Sequence, residues 1–230
     1  KPSPAPLSED YCSIHVLSQP DMPAASLIQA HGAEIAQIIR GERQPLSAEE
    51  QADILQSRLS YYPNDVVVAG WSAAFVYDTA EGAATTFPLI EYANTQLLEF
   101  RHYDAVLTGT LATAYDRMEA DAGFMERLRL SRQADRLNAV LIEVRELTER
   151  VDTAIKFLSD MFSARLHRLV SARVGVDDYR KLVDDKLTTA TELYHFMVEQ
   201  RNHRRALILE LTVVIILIID LVVLFRGDGK

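Results

Sequence analysis

The chain has 230 residues, with 24 Lys and Arg against 33 Asp and Glu, and a net charge of −9 at neutral pH. Phosphate backbones are bound by clustered Lys and Arg, so this acidic balance argues against direct contact with nucleic acid. A single cysteine, Cys12, excludes an intrachain disulfide and fits a reducing compartment.

The charge is unevenly spread. Residues 1–124 carry 6 basic and 17 acidic side chains, a net of −11, while 125–230 carry 18 and 16, a net of +2. This length accommodates one globular domain of about 120 residues plus an extended helical part. The expected domains are a linker over 1–10, a small α+β domain over 11–122, a helical hairpin or coiled coil over 123–205, a membrane span over 206–225 and a tail over 226–230. The chain opens on Lys1 rather than Met, and Lys1–Leu7 is rich in proline. That opening leaves room for an upstream domain or targeting segment.

Tyr11–Leu17 has the alternation and β-branching of a strand. Ala24–Gly41 has a helical stripe of Leu27, Ile28, Ile35, Ile38 and Ile39, with Gly41 as its stop. Ser47-Ala48-Glu49-Glu50 has the form of a capping box and opens a second helix. Asp65–Trp71 is a continuous apolar run of the kind found in buried strands, and Ala73–Asp78 is its expected hairpin partner. Pro88 suits the first turn of a helix whose stripe is Leu89, Tyr92, Ala93, Gln96, Leu97, Phe100 and Tyr103.

From Met125 the period changes. Leu130, Leu137, Val144, Val151 and Leu158 recur every seven residues, and Val140, Leu147, Ala154 and Met161 do so offset by three. This heptad pattern predicts one long helix or a near-continuous pair over 125–173, with an oligomer seam of Leu137, Val140, Val144, Leu147, Val151, Leu158 and Met161. Gly175 ends it, and Asp177 and Asp178 open a helix with no Pro or Gly before Gly227. Its stripe is Val183, Leu187, Ala190, Tyr194 and Met197.

Ala206–Phe225 is apolar except for Glu210, Thr212 and Asp220, and its length matches a bilayer core of about 30 Å. Arg201, His203, Arg204 and Arg205 precede it, so the positive-inside rule predicts a single-pass protein with its body on the cytoplasmic or matrix face. Glu210 and Asp220 share one side of that helix and read as a polar seam facing another copy, or as tolerated acids. The expected fold is thus an α+β N-terminal domain, then a long antiparallel helical hairpin or coiled coil, ending in one transmembrane helix. Its expected partners are a lipid bilayer, further copies of itself and an unidentified protein.

No phosphate loop, dinucleotide fingerprint or complete nucleophile elbow is present, and no catalytic residue or cofactor is expected. Two Glu-x-x-His pairs, Glu99/His102 and Glu192/His195, have the spacing of di-metal bundles, with Glu91 and Glu199 as possible further ligands. Solvated charge on helical faces is the plainer reading. Trp71, Phe75 and Tyr77 fit a strand core or the lining of a pocket.

The string Leu209-Glu210-Leu211-Thr212-Val213-Val214-Ile215-Ile216-Leu217-Ile218-Ile219-Asp220 resembles the signature of the family named "required for meiotic nuclear division". That family has a leucine-glutamate pair, an apolar stretch and a second acid ten residues after the first. The chain departs from it at Leu211, where an aromatic residue is common, and over Glu91–Asp104. The resemblance implies a membrane-anchored, self-associating organising protein without catalytic activity. The alternatives are an anchored sensor with a ligand in its α+β domain, or a relative of CorA-type channels. The latter need a second span and a Gly-Met-Asn loop, and this chain has neither.

Overall fold

The structure is a computed structural model. It describes residues 7–119, 135–146, 148–149 and 161–227, with the side chains of 117–119, 200–209 and 220–227 excluded. The elements are β1 (Cys12–Leu17), α1 (Ala24–Arg40), α2 (Ala48–Gln56), β2 (Arg58–Leu59), β3 (Val66–Ala69), β4 (Ala73–Asp78) and α3 (Ala80–Glu119). There follow α4 (135–146), α5 (Met161–Val174) and α6 (Val176–Gly227). The chain divides into two compact units. One comprises Lys1–Val106 with Arg145–Asp185, and the other Leu107–Val144 with Lys186–Lys230.

The first unit is built on a four-stranded sheet of order β1-β4-β3-β2. β3 and β4 form an antiparallel hairpin in which Val68 lies opposite Phe75. β1 then lies parallel to β4, with Cys12 opposite Ala73 and Leu17 opposite Asp78. Parallel pairing needs a crossover, and α1, α2, β2 and β3 supply it.

A strand alternates its side chains between faces. Val66, Val68, Phe75 and Tyr77 therefore share one face, where they form a core with Leu27, Ile35, Ala36, Ile39 and Ile54 of α1 and α2. Val67, Ala74 and Val76 point the other way and are also buried. The His15–Phe87 ring contact puts α3 on that face. Burial of both faces explains the nearly continuous apolar runs of β3 and β4. Tyr77 is 1% exposed, and its hydroxyl donates to the Met22 carbonyl and accepts from the Gln19 amide. It thereby fastens the β1–α1 connection.

Local chemistry accounts for the element ends. The Ser47 hydroxyl accepts from the Glu50 amide, but the Glu50 carboxylate bonds Arg40. The expected reciprocal box is therefore half formed, because a guanidinium offers the carboxylate a charged donor. α3 begins at Ala80, well before the expected Pro88, because the Thr79 hydroxyl caps the Gly82 amide. Pro88 deprives the Ala84 carbonyl of its helical partner. Both residues are exposed, so that carbonyl is not buried unpaired. Gly175, at φ 88°, separates α5 from α6, and Asp177 and Asp178 occupy the positive end of the α6 dipole.

Behind the sheet, His167 of α5 is 2% exposed and bonds the Gln96 side chain at 2.9 Å, with the Ser171 hydroxyl at 3.3 Å and the Tyr92 ring beside it. Burial holds this imidazole below the ordinary histidine range, partly offset by Asp177.

In the second unit, Leu107, Leu111 and Ala114 of α3, Leu137, Leu141 and Val144 of α4, and Leu187, Ala190, Leu193 and Met197 of α6 are buried. Each set recurs at helical spacing. Lys186 of α6 donates to the Thr108 hydroxyl of α3 at 2.6 Å.

The closing transmembrane helix requires correction. Among the described residues, no helix is long and apolar enough to cross a membrane. The tail anchor, the single-pass placement and the bilayer as a partner lose their support with it.

The His167 environment predicts a pH dependence. The folded chain favours the neutral ring, so above about pH 6.5 neither state gains from protonation. As pH falls below that value, the unfolded chain takes up a proton that the folded chain resists. Stability should then fall by up to about 1.4 kcal/mol per pH unit. Urea unfolding between pH 7.5 and 5 should show a flatter dependence for His167→Gln than for the natural chain.

Candidate functional site

β1 and β4 are parallel, so their carboxyl ends emerge side by side, and the β3 start lies next to them. Connections diverge there, and a cleft of about 700 Å³ opens. Open sheets with parallel strands bind ligands at such ends. Its lining combines the loop Tyr61, Tyr62, Asn64 and Asp65 with Asp78 and the first turns of α3, Ser18 and Phe162.

The loop is held from below. Asp65 is 7% exposed, and its two carboxylate oxygens accept from the Tyr61 amide at 2.7 Å and the Tyr62 amide at 2.8 Å. The Ser60 hydroxyl donates to the Tyr62 carbonyl, and the Ala24 amide bonds the Pro63 carbonyl. With its backbone spent this way, the loop projects Tyr61 and Tyr62 outward, 58% and 66% exposed. Tyr61 meets Tyr62 edge-on at 4.8 Å between centroids and Phe162 at 5.5 Å. These contacts give three rings in sequence along one wall.

The lining is also acidic. Asp78 ends β4, and its carboxylate accepts from the Thr79 amide at 2.6 Å. Desolvation raises its pKa above the usual carboxylate range, and the Asp65 charge adds to this. The Thr79 amide and His15 act the other way. A Cβ at position 82 would collide with the Asp78 carboxyl group, so a side chain there would displace this carboxylate. Glu81 adds an exposed acid beside the half-buried Asp78.

Thr79 caps α3 and Thr85 donates to the Glu81 carbonyl, so both hydroxyls are committed to the helix. Aromatic faces beside carboxylates suit an organic cation, through ring quadrupole and charge together.

The residues expected to matter lie elsewhere. Phe75 and Tyr77 are core, and Trp71 is 59% exposed at the other end of β4, its ring against Gly175. Glu99 and His102 lie on α3 and Glu192 and His195 on α6. Among the described residues, no group of three or more His, Cys, Asp or Glu side chains could hold a metal. Burial raises the Glu99 pKa. Glu91, Glu192 and Glu199 are exposed.

Of the expected oligomer seam, Leu137 and Val144 are buried within one chain at 1% and 2%, Val140 is half-buried and Met161 is 75% exposed. Leu147, Val151 and Leu158 fall outside the described residues. Leu141, absent from the heptad reading, is 4% exposed and belongs to the buried stripe. Glu210 is exposed, and the side chains of Arg201, Arg204, Arg205 and Asp220 lie outside the described set. The Tyr61–Asp65 loop carries one local sequence signal, Asn64-Asp65 after Pro63, which marks a turn but not the rings it projects.

The chain's residues 1–84 match the family model described as "Uncharacterized protein MJ0711, N-terminal domain". That range covers the whole sheet, α1 and α2. The chain is also similar to the "Uncharacterized protein MJ0711" of Methanocaldococcus jannaschii, at 19% identity over 205 residues. The aligned region is 89% of this chain and spans 62% of that protein's length. No solved structure matches. These findings overturn the resemblance to the "required for meiotic nuclear division" family, for which they contain no support. Its motif was an apolar helix with two acids, a pattern that many unrelated apolar helices share.

The Asp65 clamp predicts a local loss. Asp65→Ala orphans the Tyr61 and Tyr62 amides and should cost about 1–3 kcal/mol, while Asp65→Asn, which retains one acceptor, should cost less. Chemical denaturation of the three proteins checks the order.

Proposed function

We propose that this protein is a non-catalytic binding protein whose α+β unit receives a small organic cation in the Tyr61–Tyr62–Phe162 cleft. The observation that carries this reading is a chain of three contacting aromatic rings lining the same cleft as Asp78 and Glu81. An ammonium or guanidinium head would sit between the carboxylates, with its carbon body against the rings. Asp78 then binds best when ionised, so affinity should rise with pH through its elevated titration range.

A thermal-shift screen of primary, quaternary and guanidinium amines against matched neutral and anionic compounds tests this. Cations should raise the melting temperature by several degrees at millimolar concentration. Tyr61→Ala and Asp78→Asn should each abolish most of that rise. Equal shifts from the anionic set, or cation shifts that survive both substitutions, would refute it.

A second reading concerns the helical unit and rests on a different observation. Val213, Val214, Ile215, Ile216, Leu217, Ile218 and Ile219 of α6 are all 45–61% exposed. So long a run of exposed apolar side chains marks an association surface. Self-association through it makes the protein a scaffold as well as a receptor. Ile215→Lys with Ile218→Lys should lower the mass measured by light scattering without lowering the melting temperature.

A further inference from the structure

We propose that the free edge of β1 is a pairing surface for a second copy of this chain, joined antiparallel about His15. β1 lies at the edge of the sheet, bonded to β4 alone. The Cys12 amide donates to the Ser72 carbonyl and the Ser18 amide to the Asp78 carbonyl, both at 2.9 Å. Alternation along the strand therefore turns the backbone of Cys12, Ile14, Val16 and Ser18 toward β4. Ser13, His15 and Leu17 direct their N–H and C=O groups outward. No backbone hydrogen bond from a described residue reaches them.

Edge strands are ordinarily guarded by charge, proline, a bulge or a covering element. β1 reads CSIHVL, with no charged residue and no proline. Its register with β4 is continuous, so it has no bulge. α1 packs across β4, and among the described residues no further strand pairs with this edge. Val16 and Leu17 are 40% and 60% exposed on opposite faces of this edge.

The strand is its own complement. With His15 opposite His15 of the second copy, Ser13 faces Leu17 and the outward groups are satisfied by about six backbone hydrogen bonds. Ile14 then meets Val16, and Leu17 is covered by the second sheet. The strand offers no charge to attract a charged peptide, and Glu9 beside it is already paired with Arg101. Six paired residues cover a few hundred Å² per copy, below the roughly 800 Å² of a stable interface. The dimer is therefore weak, with a dissociation constant on the order of 10–100 μM. Asp10 and Asp21 at the strand ends bring like charges together, so salt should strengthen it.

Register-specific cross-linking tests this in the full-length chain. In the proposed pairing Cys12 lies opposite Ser18 of the second copy, at a non-hydrogen-bonded position with Cα atoms about 4.5 Å apart. Within one chain these positions are roughly 20 Å apart and cannot be bridged. Ser18→Cys should therefore give a disulfide-linked dimer under mild oxidation, at a rate that rises with salt. Cys12→Ser in that background should abolish it.

Leu17→Lys should slow cross-linking at least tenfold. Ser13→Pro removes an outward amide without touching β4 and should do the same. Circular dichroism and melting temperature confirm that each variant is folded, and the disulfide reports β1 alone, whatever α6 contributes to assembly. No dimer from Ser18→Cys, or a dimer indifferent to Leu17→Lys and Ser13→Pro, overturns the proposal. So does cross-linking that falls as salt rises.

Discussion

The structure of the first unit depends on the burial of β4. Every residue from Ala73 to Tyr77 is buried, with β1 on one side and β3 on the other. A strand enclosed in this way needs cover on both faces and hydrogen bonds along both edges. α1 and α2 supply one cover, and α3 lies on the other face. The order β1-β4-β3-β2 follows, because β4 must return beside β1 after the chain has made a helical crossover and turned through the β3–β4 hairpin. The cleft is a consequence of the same arrangement. β4 ends at Asp78, where the chain leaves the sheet for α3 and where β1 and the start of β3 also end.

Electrostatics at that place are set by what surrounds the acids rather than by their number. Asp65 and Asp78 sit close enough that one charge raises the other's pKa, but their hydrogen bonds differ. Asp65 spends both oxygens on two backbone amides and so is structural. Asp78 has one backbone amide partner, that of Thr79, and lines the cleft. Gly82 is what allows its carboxylate to lie over the first turn of α3. The same residue type thus holds the loop in one case and faces the cleft in the other.

The buried polar network behind the sheet shows a different balance. His167, Gln96 and Ser171 lie in an apolar layer where an unpaired group is costly. Holding His167 neutral resolves most of this, since its ring nitrogen meets the Gln96 oxygen. The Gln96 amide nitrogen has no partner among the described residues. This layer is therefore polar enough to specify how α5 meets α3, and it is sensitive to acid for the same reason.

The sequence by itself determined the elements whose signals are local. Leu27, Ile35 and Ile39 recur on one helical stripe, Val66–Val68 and Ala73–Tyr77 are unbroken apolar runs, and Gly41, Ser47 and Gly175 mark ends. These effects act within a few residues, through side-chain spacing, capping or left-handed backbone, so they survive reading one position at a time. Tertiary structure alone decided the rest. Only the fold placed β1 parallel to β4, brought Phe162 to Tyr61 across a hundred residues, and set Asp65 beneath its loop. Only packing moved the α4 stripe from a strict heptad to include Leu141. The apolar run of α6 was legible as composition, but composition does not say what covers it. Long-range pairing depends on which surfaces close together, and in one sequence no local periodicity records that choice.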